Sequence, residues 1–166
     1  MHPESSLEGF SLRLSDMLLV HGQRLVTAES CTGGYLAKVL TDIPGSSRWF
    51  ECGYVCYSNA AKTRDLKVSP HTLARDGAVS EAVASEMAAG ALNRTGASIA
   101  MAITGIAGPE GAQPGKPVGT VWFCAAIRRK QAVELCAQRQ FFSGSRASVR
   151  NAAVEHALKL LLQLQL

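Results

Sequence analysis

The sequence has no uninterrupted apolar stretch of the roughly 18 residues that a membrane-spanning helix needs. Its amino terminus has no basic segment followed by an apolar one, so no export signal is indicated. Charge is sparse at 18% of 166 residues, while 47% are hydrophobic and 21 are glycine or proline, which excludes a disordered or fibrous chain. We therefore expect one soluble, cytoplasmic domain spanning residues 1–166, with no membrane partner.

Metal and disulfide patterns are also missing. The five cysteines are an odd set without a CxxC pair, and no HxxxH or HExxH spacing occurs. This excludes a disulfide framework and a common metal motif, and it favours buried free thiols. We expect no metal ion.

The positive charge is small and dispersed. Seventeen basic and thirteen acidic residues give a formal net charge of +4, and the only basic run is residues 128–130. Because a duplex-binding surface needs several cations on one face, we expect no nucleic-acid partner. A small anionic ligand fits this charge better.

The pattern of apolar residues predicts alternating helices and strands. Helical spacing covers 5–20, 35–40, 80–94 and 145–166. Strands are predicted at 25–28, 53–58, 99–103, 120–127 and 132–142, the last two forming a hairpin. The predicted fold is a three-layer α/β/α single domain, with a mixed, mostly parallel sheet of about five strands and a late antiparallel hairpin.

Three predicted strands are followed by polar or glycine-rich sequence, at 29–34, 58–62 and 104–119. Ligands of α/β proteins gather where parallel strands end, so we expect these loops to face one cleft. The third loop fails the phosphate-loop pattern, because Glu110 replaces the first glycine and Pro117 follows Lys116. It is predicted only to let the backbone approach a ligand.

The first loop offers two candidate nucleophiles, Ser30 and Cys31. Ser30 and Thr32 have a competing interpretation as caps of the following helix. Lys62 in the second loop is either a solvated side chain or the base for Ser30, if burial keeps its amine neutral. The four histidines fall in the amino terminus, a helix end, a connector and a core helix, so none is expected in the cleft. Activation of Cys31 without a histidine is harder to explain.

Six short strings carry a family resemblance. They occur in order at 27–34 (TAESCTGG), 44–47 (PGSS), 57–62 (YSNAAK), 77–80 (GAVS), 104–109 (TGIAGP) and 116–120 (KPVGT). Together they resemble the CinA carboxy-terminal domain family, over about residues 7–162. The chain resembles the stand-alone form, without the amino-terminal domain of the longer CinA proteins.

The resemblance implies hydrolysis of the carboxamide of nicotinamide mononucleotide. The products would be nicotinate mononucleotide and ammonia, in pyridine-nucleotide (NAD) salvage. It implies a serine–lysine mechanism in which Ser30 is the nucleophile, Lys62 the base and Tyr57 an assisting residue. The implied mechanism requires no metal or organic cofactor, so none is expected.

The resemblance and the helix start together predict the substrate-binding residues. Backbone amides of residues 31–34 are expected to bind the oxyanion, and Arg146 to bind the phosphate with them. The full set of predicted substrate-binding residues is Cys31, Thr32, Gly33, Gly34, Ser47, Thr104, Gly105 and Arg146.

One position departs from the family pattern. Many members have an aspartate where this chain has Ser145, and the missing carboxylate is expected to affect the orientation of Arg146.

The alternatives to an enzyme are a catalytically inactive nucleotide-binding module and a partner protein associated with competence or DNA damage. A homo-oligomer, namely a dimer, is the expected assembly.

Overall fold

The computed structural model describes residues 6–130 and 132–166. Within these ranges there are six α-helices and five strands. The helices are α1 Leu7–Val20, α2 Tyr35–Thr41, α3 Asn59–Leu66, α4 Pro70–Asp76, α5 Glu81–Asn93 and α6 Arg146–Leu162. The strands are β1 Leu25–Glu29, β2 Phe50–Val55, β3 Ile99–Gly105, β4 Thr120–Arg128 and β5 Val133–Phe141.

The strands form one mixed sheet in the order β2-β1-β3-β4-β5. Strand β1 pairs in parallel with β2 and β3, whereas β4 is antiparallel to β3 and β5. The predicted sheet, parallel in its first half and closed by a late hairpin, is confirmed. Because β1, β2 and β3 run in the same direction, their carboxyl ends meet at one edge of the sheet.

Helices cover both faces of the sheet, which confirms the three-layer architecture. One core contains buried residues of α1, α2 and α6, such as Leu14, Leu36 and Ala157. The other contains α5 residues such as Met87 and Leu92. Strand residues alternate between the two cores, as the two-residue period of a β-strand requires. In the part of the chain that the structure describes, no helix has the length and apolar character to cross a membrane.

Two short helices were not predicted. From the sequence, Lys62 was expected in a loop at 58–62 and one histidine, His71, in a connector, but α3 and α4 occupy these positions. Those interpretations are wrong because both helices are short and carry little apolar periodicity. Their starts are capped by the side chains of Ser58 and Ser69, which accept hydrogen bonds from backbone amides. Lys62 therefore projects from a helix, whose backbone fixes its position.

The cysteines are all free thiols, as predicted. Three of them, Cys31, Cys56 and Cys124, are buried. Cys52 is half-buried and Cys136 is exposed on β5, so the expectation of burial is wrong for Cys136. Strand β5 is an edge of the sheet with only one strand neighbour, which explains that exposure.

Candidate active site

A serine and a lysine meet at the edge of the sheet where the parallel strands end. Ser30 directly follows β1, and its amide donates to the Ile103 carbonyl of β3 at 2.9 Å. Lys62 lies in the first turn of α3, and its Nζ donates a 3.0 Å hydrogen bond to Ser30 Oγ. The Ser30 backbone is held by the central strand β3, and Lys62 is held by a capped helix. The pair is thus fixed by regular structure on both sides.

Lys62 is buried without a counterion. Its exposed fraction is 1%, and it takes part in none of the ion pairs found among the described residues. Burial lowers the pKa of Lys62, because the charged amine loses its hydration, while the nearby thiols of Cys56 and Cys31 act in the opposite direction. The neutral amine is therefore favoured relative to an exposed lysine.

The partners of Lys62 Nζ suit both protonation states. Besides Ser30 Oγ, it donates to the carbonyls of Cys56 and Tyr57 at 2.9 and 3.0 Å. An ammonium group satisfies all three acceptors with its three hydrogens. A neutral amine keeps both carbonyl bonds and directs its lone pair at Ser30, whose hydroxyl then becomes the donor. Proton transfer from Ser30 to Lys62 therefore requires no rearrangement of the backbone.

Tyr57 contacts the pair through its backbone. Its carbonyl accepts from Lys62, but its hydroxyl accepts a 2.8 Å hydrogen bond from Arg146 Nη2. Arg146 Nη1 also donates to the Gly108 carbonyl at 2.9 Å. Within the described residues the Tyr57 hydroxyl makes no hydrogen bond to Ser30 or Lys62. The structure thus places this side chain, which is 56% exposed, at the mouth of the cleft beside Arg146.

The start of α2 is occupied by a carboxylate of the protein itself. Glu29 is fully buried, and its two oxygens accept from the amides of Gly34, Leu36 and Ala37 at 2.8–3.1 Å. The interpretation of Ser30 and Thr32 as helix caps is wrong, since the N-cap position is Gly34, without a side-chain cap. The Glu29 carboxylate satisfies these amides instead.

Cys31 lies in the cleft but is poorly suited to be a thiolate. Its exposed fraction is 5%, and burial raises the pKa of its thiol to about 11. The nearby Glu29 carboxylate raises the pKa as well, whereas Lys62 and Arg146 lower it. The thiolate is the nucleophilic form of cysteine, and it is scarce near pH 7 at such a pKa. The geometry therefore favours Ser30 as the nucleophile.

One open cleft of about 260 Å³ connects these groups. Seven predicted site residues line it: Ser30, Cys31, Tyr57, Lys62, Thr104, Gly105 and Arg146. Thr104 is held by a 2.8 Å hydrogen bond from its hydroxyl to the Ala78 carbonyl. At Gly105 a side chain would meet the Thr120 carbonyl at 2.8 Å, so the close approach of β4 requires glycine there.

The other four predicted residues do not line the cleft. Thr32, Gly33 and Gly34 form the turn behind it, where the amides of Gly33 and Gly34 are already bonded to Ser30 and Glu29. Ser47 lies in a short 3₁₀ turn that precedes β2, whereas the cleft lies beyond the other end of that strand. Its predicted role stays a prediction.

Sequence reasoning missed three features of the cleft. Glu29 carried a signal, because a carboxylate at the end of an apolar strand needs an unusual partner when it is buried. Glu110 lines the cleft from the third loop, and Ala78 and Val79 line it from the segment before α5. Ala78 and Val79 belong to the string at 77–80, one of the six that carry the family resemblance, and this string could have indicated them.

Ser145, which stands where the family pattern has an aspartate, caps the start of α6. It is the N-cap of α6, and its hydroxyl accepts from the amide of Ser148 at 3.2 Å. Serine and aspartate are similarly effective at this position. Arg146 is oriented by Tyr57 and Gly108, so its position in this chain does not depend on a carboxylate at residue 145.

These observations define an α/β domain with a buried serine–lysine pair at the carboxyl ends of its parallel strands. A sequence profile of the CinA C-terminal domain matches residues 8–165. The chain belongs to this family, and the resemblance noted in its sequence is confirmed.

Proteins of known sequence and structure agree with this assignment. The chain is 49% identical over 160 residues to nicotinamide-nucleotide amidohydrolase PncC of Escherichia coli (strain K12), covering 96% of this chain and 95% of that protein. It is 46% identical over 152 residues to the Pseudomonas putida protein of the same name, with 92% of each covered. The crystal structure of competence damage-inducible protein A (ComA) from Klebsiella pneumoniae superposes with a TM-score of 0.91 at 39% identity, covering 95% of this chain and 96% of that one.

Proposed function

We propose that this protein is a nicotinamide-nucleotide amidohydrolase, which converts nicotinamide mononucleotide to nicotinate mononucleotide and ammonia. The observation that carries the proposal is the 3.0 Å hydrogen bond between Ser30 Oγ and a buried lysine that has no carboxylate partner in the described part of the chain. The substrate class is supported by the names of the Escherichia coli and Pseudomonas putida relatives. In a cell the reaction would serve pyridine-nucleotide salvage.

In the proposed acylation step, Ser30 Oγ attacks the carboxamide carbon. The Lys62 amine accepts the hydroxyl proton as the new carbon–oxygen bond forms. The tetrahedral intermediate collapses when Lys62 returns this proton to the nitrogen, the carbon–nitrogen bond breaks and ammonia leaves. The result is an ester between Ser30 and the nicotinoyl group.

Water completes the cycle by hydrolysing this ester. The neutral Lys62 amine takes a proton from water, and the hydroxyl oxygen attacks the ester carbon. The proton returns to Ser30 Oγ as the carbon–oxygen bond to the serine breaks, and the carboxylic acid product loses its remaining proton to solvent to become the carboxylate. In both steps the amide of Cys31 is the oxyanion donor, because this residue lines the cleft and, among the described residues, its amide makes no hydrogen bond to a protein oxygen.

Arg146 is the proposed phosphate-binding residue. Two of its five guanidinium N–H groups hold Gly108 and Tyr57, which leaves three for a ligand. It belongs to none of the ion pairs among the described residues, so its charge is available to an anion. It is also the first residue of α6, whose N-terminus favours negative charge.

Arg146→Ala is expected to raise KM for nicotinamide mononucleotide by about 10- to 100-fold, since a hydrogen bond to a charged group contributes about 1.5–3 kcal/mol. The effect on kcat should be smaller if the phosphate contact is the same in the ground and transition states. Steady-state kinetics with the mononucleotide and with the riboside, which has no phosphate, measure the difference. Equal losses for both substrates would contradict phosphate binding by Arg146.

The experiment that tests the function is incubation of the purified protein with nicotinamide mononucleotide. Ammonia and nicotinate mononucleotide should appear in equal amounts, and neither should appear with Ser30→Ala prepared in parallel. Binding of the nucleotide without turnover would contradict the proposed amidohydrolase activity and support the inactive nucleotide-binding module.

The expected assembly into a dimer stays a prediction.

A further inference from the structure

Among the described residues, the turn behind Ser30 leaves two amides without a hydrogen bond to a protein oxygen. The Gly33 amide donates to the Ser30 carbonyl at 3.0 Å and closes a four-residue turn. In such a turn the two central amides, here those of Cys31 and Thr32, are not used by the turn itself. The Cys31 amide belongs to the peptide group whose carbonyl is that of Ser30. The oxyanion that forms on the substrate when Ser30 attacks therefore lies next to the Cys31 amide, which is part of this turn.

Arg150 contacts the same turn through the carbonyl of Thr32. It lies one helical turn after Arg146 on α6, and its Nη2 donates to the Thr32 carbonyl at 2.8 Å. Arg150 forms no ion pair with a carboxylate among the described residues. Its Nε is buried and has no hydrogen-bond partner there. An unneutralised guanidinium charge thus acts on a single backbone carbonyl.

These contacts connect the arginine to the Cys31 amide through two peptide groups. Arg150 donates to the carbonyl of the peptide that links Thr32 to Gly33, and the N–H of this peptide donates to the Ser30 carbonyl. The peptide that carries the Ser30 carbonyl ends in the Cys31 N–H. Each hydrogen bond in such a chain polarises the next one, and most effectively in a site shielded from water.

We propose that Arg150 is a positioning residue that fixes the Ser30 turn and strengthens the Cys31 amide as an oxyanion donor. The inference rests on the proposed acyl chemistry at Ser30. Arg150 itself does not line the cleft, so it acts on the transition state without touching the substrate. The interaction grows as negative charge develops on the oxyanion, and the effect therefore belongs to kcat rather than to substrate binding.

Three substitutions separate charge from hydrogen bonding. Arg150→Lys keeps the charge, Arg150→Gln keeps a neutral donor, and Arg150→Met removes both. Arg13→Met is the matched control, because Arg13 is exposed on α1 and loses the same charge away from the cleft. The readouts are kcat, KM for the mononucleotide, and inhibition by pyridine-3-boronic acid. This boronic acid becomes a tetrahedral anion when a serine hydroxyl adds to it.

For Arg150→Met we expect kcat to fall by about 10- to 100-fold, less than the roughly 100- to 1,000-fold cost of deleting an oxyanion donor. Boronic acid inhibition should weaken in parallel, while KM for the neutral carboxamide substrate stays within about twofold. Arg150→Lys should retain more activity than Arg150→Gln, which also tests the proposal if Arg150→Met does not fold.

Two results would overturn the inference. One is an unchanged kcat in the folded variants, and the other is a fall in kcat matched by an equal rise in KM, which indicates a merely structural contact. The proposed function fails separately, through turnover that persists in Ser30→Ala. A loss in Ser30→Ala together with wild-type kcat in the Arg150 variants would remove only the role of Arg150.

Discussion

Ser30→Ala is expected to lower kcat for nicotinamide mononucleotide by at least about 1,000-fold, because it removes the atom that forms the covalent bond to the substrate. The fold should persist. Ser30 Oγ accepts one hydrogen bond, from Lys62, and the loss of one such bond costs about 1 kcal/mol. Steady-state kinetics measure kcat, thermal unfolding measures the stability, and titration with the nucleotide measures binding. Binding should be retained.

Cys31→Ala is the matched control for this result. It removes the neighbouring side chain but keeps the backbone amide assigned to the oxyanion. Because burial raises the pKa of the Cys31 thiol to about 11, this side chain is protonated near pH 7, and the variant should retain most of its turnover. The nucleophile would instead be Cys31 if Ser30→Ala stayed active while Cys31→Ala lost its activity.

Lys62→Arg is expected to be as inactive as Lys62→Met, each with kcat lower by about 1,000-fold or more. The arginine keeps the positive charge, but a guanidinium stays protonated in proteins and cannot accept the serine proton. Removing the base of a nucleophile–base pair lowers kcat about as much as removing the nucleophile itself. The kinetics of both variants should be compared at a substrate concentration well above KM.

Substrate binding should be retained in both variants, because Lys62 Nζ contacts Ser30 and two backbone carbonyls of the protein. Circular dichroism and nucleotide titration show whether each variant is folded and competent to bind. Substantial turnover by Lys62→Arg would make the side chain an electrostatic or phosphate-holding group. The serine–lysine mechanism would then be wrong for this protein.

The sheet and the place of the cleft could be predicted from the sequence for a simple reason. Buried strands and amphipathic helices have clear periodicities, and the ends of parallel strands meet at one edge. That rule alone brings Ser30, Lys62 and Thr104 to one cleft, although they are far apart in the sequence. The short helices α3 and α4 carried too few apolar residues for the same reasoning, and only their serine caps indicated them.

The hydrogen-bond partners of polar side chains could not be predicted in this way. Arg146 reaches Tyr57 across 89 positions, and Arg150 reaches Thr32 across 118. Such contacts depend on how α6 packs against the sheet, and no local pattern records that packing. For the same reason the sequence assigned the amide of Gly34 to a ligand, whereas Glu29 occupies it.

The most direct test of the central claim is an NMR titration of Lys62 in protein labelled with ¹³C at the lysine side chains. Lys62→Met identifies its signal among those of the other lysines. Burial lowers the pKa of Lys62, and the active form is the neutral amine, so activity should fall tenfold per pH unit below that pKa. The account predicts that the Lys62 signal titrates below the value of about 10.4 for an exposed lysine, and at the pH of the acidic limb of kcat/KM. Titration of Lys62 together with the exposed lysines, with an acidic limb at a different pH, would contradict it.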